Sequence, residues 1–169
     1  MLRILAPGAM ISPLMRGTRC MSSTIDQKEV EHFSRLAKDW WDPQGSMKSL
    51  HEIHPVRMRE IRHRLCEHFD RDADQLKPLE NLRILDAGCG CGLLSESLAR
   101  LGATAVGADP SESISVAREH MKGDPSLSKL TYVQKSLGSY RDSLPENFIV
   151  ILTTLQNNCV KVKKNHSTQ

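Results

Sequence analysis

The densest run of chemically usable residues is Leu85-Asp86-Ala87-Gly88-Cys89-Gly90-Cys91-Gly92. Gly88 and Gly90 lack a Cβ, so the backbone there can turn sharply and come close to a ligand. A helix beginning near Cys91 would add unpaired N–H groups and a partial positive charge. The spacing is D-x-G-x-G-x-G. It is not the dinucleotide pattern G-x-G-x-x-G, because position 93 is Leu. Asp86 would attract a cationic amino-acid moiety and repel a pyrophosphate. S-adenosylmethionine carries an ammonium and a sulfonium and no phosphate, so it suits this loop. A nicotinamide dinucleotide is the disfavoured alternative. A second acid, Asp109, follows 23 residues after Asp86. At a strand end its carboxylate can accept from both ribose hydroxyls, each bond contributing about 1.5–3 kcal/mol. It can also cap the next helix, with Pro110 at the first position, since the two roles use different lone pairs.

Cys89 and Cys91 sit where a helix N-terminus lowers thiol pKa. No base adjoins them in sequence, so they read as small residues fitted to a crowded loop. The five cysteines (Cys20, Cys66, Cys89, Cys91 and Cys159) are odd in number and lack C-x-x-C spacing, which supports neither a disulfide framework nor a zinc site. A net charge of +3 gives no footprint for nucleic acid.

The elements that must position the loop follow from periodicity. Leu82 to Ala87 reads as a buried strand ending at the loop. Leu93, Leu94, Leu98 and Leu101 recur at helical spacing, and Gly102 supplies a left-handed cap. Thr104 to Ala108 is a second strand ending at Asp109. Ile114, Ala117 and Met121 mark a helix closed by Gly123 and Pro125. Leu130 to Val133 and Phe148 to Leu152 are further strands. Upstream, Val30, Phe33, Leu36, Ala37 and Trp40 predict an amphipathic helix over 27–40, stopped by Pro43 and Gly45. Pro55 is expected in the first turn of a second helix, whose buried stripe is Met58, Ile61, Leu65 and Phe69. The class is therefore α/β, with N-terminal helices followed by alternating βα units and a parallel, Rossmann-like sheet. Ligands of such sheets bind beyond the carboxyl ends of the strands, where the glycine loop and Asp109 lie.

The two ends differ from the middle. Residues 1–25 hold Arg3, Arg16 and Arg19, several hydroxyls and no acid, the composition of a mitochondrial transit peptide. An untargeted flexible terminus is the plainer alternative. The uncharged run Ile4 to Met15 is shorter than a membrane span and holds two prolines. Residues 151–169 lack a helical stripe or a convincing strand alternation and read as a divergent, disordered, solvated tail. The expected organisation is a transit peptide over 1–25, a partial domain over 26–150 and that tail.

The loop resembles motif I of class I S-adenosylmethionine-dependent methyltransferases. Phe33, Leu36-Ala37, Trp40-Trp41-Asp42, Gly45, Leu50-His51, Ile53, Pro55 and Arg57 resemble the N-terminal signature of the ubiquinone-biosynthesis O-methyltransferases, and the resemblance covers about residues 25–148. The chain departs from that signature at His54-Pro55, where the family usually has Asn before or at the proline position. The resemblance implies that Arg57, Gly88 and Asp109, with Asp86 and Gly90, contact the cofactor. The planar fork of Arg57 suits a carboxylate; without the resemblance it reads as a surface helix charge. Trp40 and Trp41 either cover cofactor or substrate, or Trp40 is plain core.

The reaction implied is methyl transfer to a phenolic oxygen of a polyprenylated ring, assisted in the family by Mg2+. The family's metal ligands, an E-x-x-E-H-like run after the fourth strand, have no counterpart here, where no acid or His follows Phe148 until His166. Catalytic residues stay unassigned. By the resemblance, the chain carries the front of such an enzyme, truncated after the fourth strand. That strand is expected to be left at an edge, cofactor binding to be weak and catalysis impaired. The implied setting is the mitochondrial matrix face of the inner membrane, with peripheral membrane contact and a multiprotein quinone-biosynthetic complex. A non-catalytic subunit docking in that complex is the alternative from another class.

Overall fold

The computed structural model describes residues 39–137, 140, 148–154 and 157–162. The expected transit peptide lies outside them, as does all but the end of the helix expected over 27–40. Asp39 and Trp40, at that end, form a turn.

Among the described residues five strands make one sheet: β1 (Arg83–Ala87), β2 (Thr104–Asp109), β3 (Leu130–Gln134), β4 (Ile149–Thr154) and β5 (Asn157–Val162), in the order β3-β2-β1-β4-β5. The first four pair in parallel, with Ala87 level with Ala108 of β2 and Leu152 of β4. Among the described residues the α-helices that connect or flank them are α1 (Lys48–His68), α2 (Leu93–Arg100) and α3 (Ser113–His120).

Successive strand residues point to opposite faces, and each face buries its own cluster. Ile84 packs with Ile61 and Leu65 of α1, Leu94 and Leu98 of α2, and Ile114 and Ala117 of α3. Leu85 and Ala87 pack on the other face with Val106, Ala108 and Phe148. Each Leu or Ile fully removed from water stabilises the fold by about 1.5–3 kcal/mol. Asp86 shares the helix-covered face with Ile84, which sets its role below.

Two expectations need correction. Pro55 is not in a first turn: α1 begins at Lys48 and the proline lies inside it. An internal proline removes one helical hydrogen bond at a cost of about 3 kcal/mol. The start is fixed upstream instead. Lys48 N donates to Gly45 O at 3.1 Å, Leu50 N to Met47 O at 2.9 Å, and His51 Nε2 to Trp40 O at 2.7 Å. Buried Met47 then packs against buried Trp40.

The tail also departs from its reading as solvated chain. Residues 157–162 return antiparallel along β4, in a register that sets Ile149 opposite Val162 and Leu152 opposite Cys159. The fourth strand is thus covered, not an edge. A ladder uses backbone groups that every non-proline residue has, so Thr, Asn and Lys can build it without apolar alternation. Only two positions separate Thr154 from Asn157, enough for an antiparallel return, whereas a parallel one needs a dozen or more.

Candidate cofactor site

The glycine loop leaves β1 with three left-handed glycines: Gly88 at φ 81°, Gly90 at 55° and Gly92 at 93°. It is stitched to the end of β2. Gly88 N and Cys89 N both donate to Ala108 O, at 2.7 and 3.2 Å, and Gly92 N donates to Cys89 O at 2.9 Å. Gly90 N donates to Asp109 Oδ2 at 3.0 Å. The amides of Gly88, Cys89, Gly90 and Gly92 are therefore consumed within the protein. α2 begins at Leu93, with Gly92 as its N-cap, rather than at Cys91. The N–H groups of Leu93 and Leu94 have no backbone partner among the described residues.

Asp86 is fully buried beneath the loop and accepts from Ser95 Oγ at 2.6 Å. Arg57 of α1 lies within the electrostatic reach of Asp86. Burial draws its guanidinium pKa down, while the charge of Asp86 pulls the other way. Its Nε is buried with no partner among the described residues. A buried unpaired donor is costly, so a carboxylate brought here would find a ready partner.

Asp109 stands at the end of β2. Its Oδ1 accepts from Ser111 N at 2.9 Å and Ser111 Oγ at 2.6 Å, while Oδ2 takes Gly90 N. It therefore closes a turn onto Ser111 and does not cap α3, whose N-cap is Glu112. With two donors on Oδ1 and one on Oδ2, a single acceptor position stays open on Oδ2.

Trp40 is both core and wall. It is buried, and a Cβ on Gly90 would lie 3.1 Å from its ring. Cys89 and Cys91 are buried. Burial, with Asp86 and Asp109 nearby, pushes the Cys89 thiol far up, and burial beside Asp109 pushes Cys91 up to about 12. Both stay protonated, in keeping with their reading as small fillers.

Sequence reasoning missed the residue that supports the loop from behind. Tyr132 of β3 is level with Gly107 of β2. A Cβ on Gly107 would meet its ring at 2.6 Å, and one on Gly92 would meet its hydroxyl at 2.0 Å. Tyr132 Oη donates to Gly92 O at 3.3 Å. Burial, with Glu96, Cys89 and Asp86 around it, pushes the phenol well above its ordinary range. Gly107 was the available signal, because a glycine inside a strand marks a close approach. Ser95 and Ser111, the donors to the two acids, were missed as well; Ser111 follows Asp109 at the spacing of an Asx-type turn.

A cleft of about 840 Å³ lies elsewhere, between α1 and the C-terminal end of α2, lined among others by His54, Met58, Arg59, Arg62 and Arg100. It is not part of the loop site. Among the described residues no three His, Cys, Asp or Glu side chains converge as metal ligands.

Comparison with known proteins bears on this geometry. A methyltransferase domain family matches residues 84–165. The chain is 55% identical over 106 residues to ubiquinone biosynthesis O-methyltransferase of Rhizobium johnstonii, covering 62% of this chain and 43% of that protein. It is 54% identical over 101 residues to the protein of the same name from Agrobacterium fabrum, covering 59% and 40%. The chain thus spans about two-fifths of the length of these curated relatives. Among solved structures, it is similar to magnesium protoporphyrin IX methyltransferase of Synechocystis PCC 6803 with bound S-adenosylmethionine. There the TM-score is 0.53 at 25% identity, over 72% of this chain and 55% of that one. The same enzyme with bound S-adenosylhomocysteine gives 0.51 at 26%, over 72% and 52%. The fold is the Rossmann-like fold of class I methyltransferases, present in part.

Proposed function

We propose that this chain binds S-adenosylmethionine at the loop between β1 and α2 and serves O-methylation of a phenolic intermediate in ubiquinone biosynthesis. The observation that carries the reading is the tie between Gly90 N and Asp109 Oδ2 at 3.0 Å, which joins the loop after β1 to the acid after β2. It is supported by the names of the curated relatives and by solved neighbours that hold this cofactor and its product.

When bound, the cofactor supplies an electrophilic methyl group. The chain's own residues bind and orient it. Arg57 offers its unpaired Nε and planar fork to the amino-acid carboxylate. Asp86, fully buried, supplies the negative charge that favours the ammonium. Asp109 accepts one ribose hydroxyl on Oδ2, and Trp40 on Gly90 helps close off water. Such a site fixes the donor for an aligned transfer. Among the described residues no three His, Cys, Asp or Glu side chains converge there to hold Mg2+. The acceptor, by this reading, is a polyprenylated phenol.

Residues 1–25 support a mitochondrial matrix destination, and the substrate class supports peripheral contact with the inner membrane and docking with other quinone-pathway enzymes. Among the described residues no helix is long and apolar enough to cross a membrane. The test is isothermal titration of the chain and of Asp109→Ala with S-adenosylmethionine, with a methyl-transfer assay on a catechol. Binding by the parent chain and its loss in the variant are expected. Absence of heat in the parent refutes the cofactor reading, and absence of methyl transfer to the catechol by a chain that binds the cofactor refutes the O-methylation reading. Import of a reporter fused to residues 1–25 into isolated mitochondria tests the destination.

A further inference from the structure

The glycine loop is roofed by the segment ahead of α1, and the structure shows what holds that roof in place. Trp40 lies on Gly90. Its neighbour Trp41 lies flat against His120, the last residue of α3, with ring centroids 3.5 Å apart and planes 2° from parallel. His120 is not a loose side chain. Its Nδ1 donates to Glu96 Oε1 at 2.8 Å. Glu96 belongs to α2 and is fully buried, an uncommon place for a carboxylate unless it is paired. Its Oε2 lies 3.0 Å from Arg100 Nη2, which also meets Asp124 Oδ2 at 2.9 Å. The imidazole is thereby fixed in position and tautomer by an anchor built into the helix layer.

Trp41 has no comparable anchor of its own. Its indole Nε1 is buried with no acceptor among the described residues. It packs against the cluster of Trp40, Met47 and Cys91, and the open face of its ring rests on His120. We propose that His120 is a positioning residue: clamped by Glu96, it holds Trp41, and through Trp41 it keeps Trp40 on the glycine loop, setting the affinity of the cofactor site. The last clause rests on the reading of that site given above.

The chain contains two tryptophans, Trp40 and Trp41, so tryptophan emission under selective excitation reports on this segment alone. His120 is partly exposed at a helix end, so His120→Ala is expected to fold, as circular dichroism would verify. His120→Phe keeps a flat ring for Trp41 and gives up the bond to Glu96. The proposal expects His120→Ala to red-shift the emission and weaken S-adenosylmethionine binding about tenfold, the effect of losing one aromatic stack. In His120→Phe both should return most of the way. Unchanged emission in His120→Ala overturns the proposal, as does a red shift with unchanged affinity. If the parent chain takes up no S-adenosylmethionine, the cofactor reading fails separately. The emission shift then still decides whether His120 holds the segment.

Discussion

Gly107→Ala places one methyl group at the most crowded point behind the cofactor loop. The added Cβ would stand 2.6 Å from two ring carbons of Tyr132 and 2.8 Å from Ser95 Oγ. None of these neighbours can easily give way. Tyr132 is buried between β2 and α2, and Ser95 Oγ is engaged with Asp86 at 2.6 Å. Overpacking of this kind costs about 1–3 kcal/mol. If Ser95 moves, a fully buried carboxylate loses a donor, at about 1.5–3 kcal/mol. Together the loss is about 2.5–6 kcal/mol, a large part of a small domain's stability and enough to lower Tm by about 10 °C or more. The assay is thermal and urea unfolding of Gly107→Ala, Tyr132→Leu and the double variant. Because Tyr132→Leu makes room for the methyl group, the double variant should be less destabilised than the two single losses combined, by about 1–3 kcal/mol. Additive losses, or a Gly107→Ala within about 1 kcal/mol of the parent, would refute this account of why a strand residue is glycine here.

Arg57→Lys keeps the charge but loses the planar fork, and should weaken S-adenosylmethionine binding about tenfold or more with little change in Tm; equal affinity by calorimetry removes Arg57 from the site. His54 donates from Nε2 to Ser97 Oγ at 2.8 Å, and burial, then Arg57 and His51, lower its pKa to about 4. The unfolded chain therefore binds a proton between pH 6.5 and 4 that the folded chain refuses, so stability falls as pH drops through that window. For a half-buried group the loss is about 1–2 kcal/mol, and urea unfolding of His54→Asn should show a flatter profile there than the parent. Cys89 and Cys91, held protonated, should resist iodoacetamide at pH 8 in the folded chain and label on unfolding; prompt native labelling mapped to either residue would contradict their burial.

Legibility in the sequence followed locality. Asp86, Gly88, Gly90 and Asp109 were readable because their spacing within one strand–loop–helix unit carries the meaning, and the structure keeps them together. A site role for Arg57 came from family resemblance alone, since periodicity showed only a cation on a helix; the structure adds that its Nε is buried near the charge of Asp86. Tyr132 and Ser95 act across the sheet and the helix layer. No short window holds the pair, although Gly107 inside β2 hinted at a neighbour. Pro55 was misplaced because the rule for a first-turn proline ignores tertiary anchors such as His51 Nε2 on Trp40 O. Residues 157–162 were misplaced because side-chain pattern says nothing of a ladder made by backbone alone.

The hydrogen bonds of the loop also decide which ligands it refuses. Phosphate sites of the dinucleotide kind work by turning free loop amides toward the anion. Here the amides of Gly88, Cys89, Gly90 and Gly92 point into the protein's own acceptors, so a pyrophosphate would have to break those bonds to be held. It would do so beside two carboxylates, Asp86 below and Asp109 in front, with Arg57 as the cation in the field of Asp86. The same bonds mean that the loop has its shape without a ligand, so a cofactor that needs close backbone approach rather than amide donors binds without the cost of ordering it. The selectivity should therefore be sharp: fluorescence titration with NADH should give no saturable signal at concentrations where S-adenosylmethionine saturates. NADH binding displaced by S-adenosylmethionine would show that the loop opens its amides to phosphate, and the argument from its internal hydrogen bonds would fail.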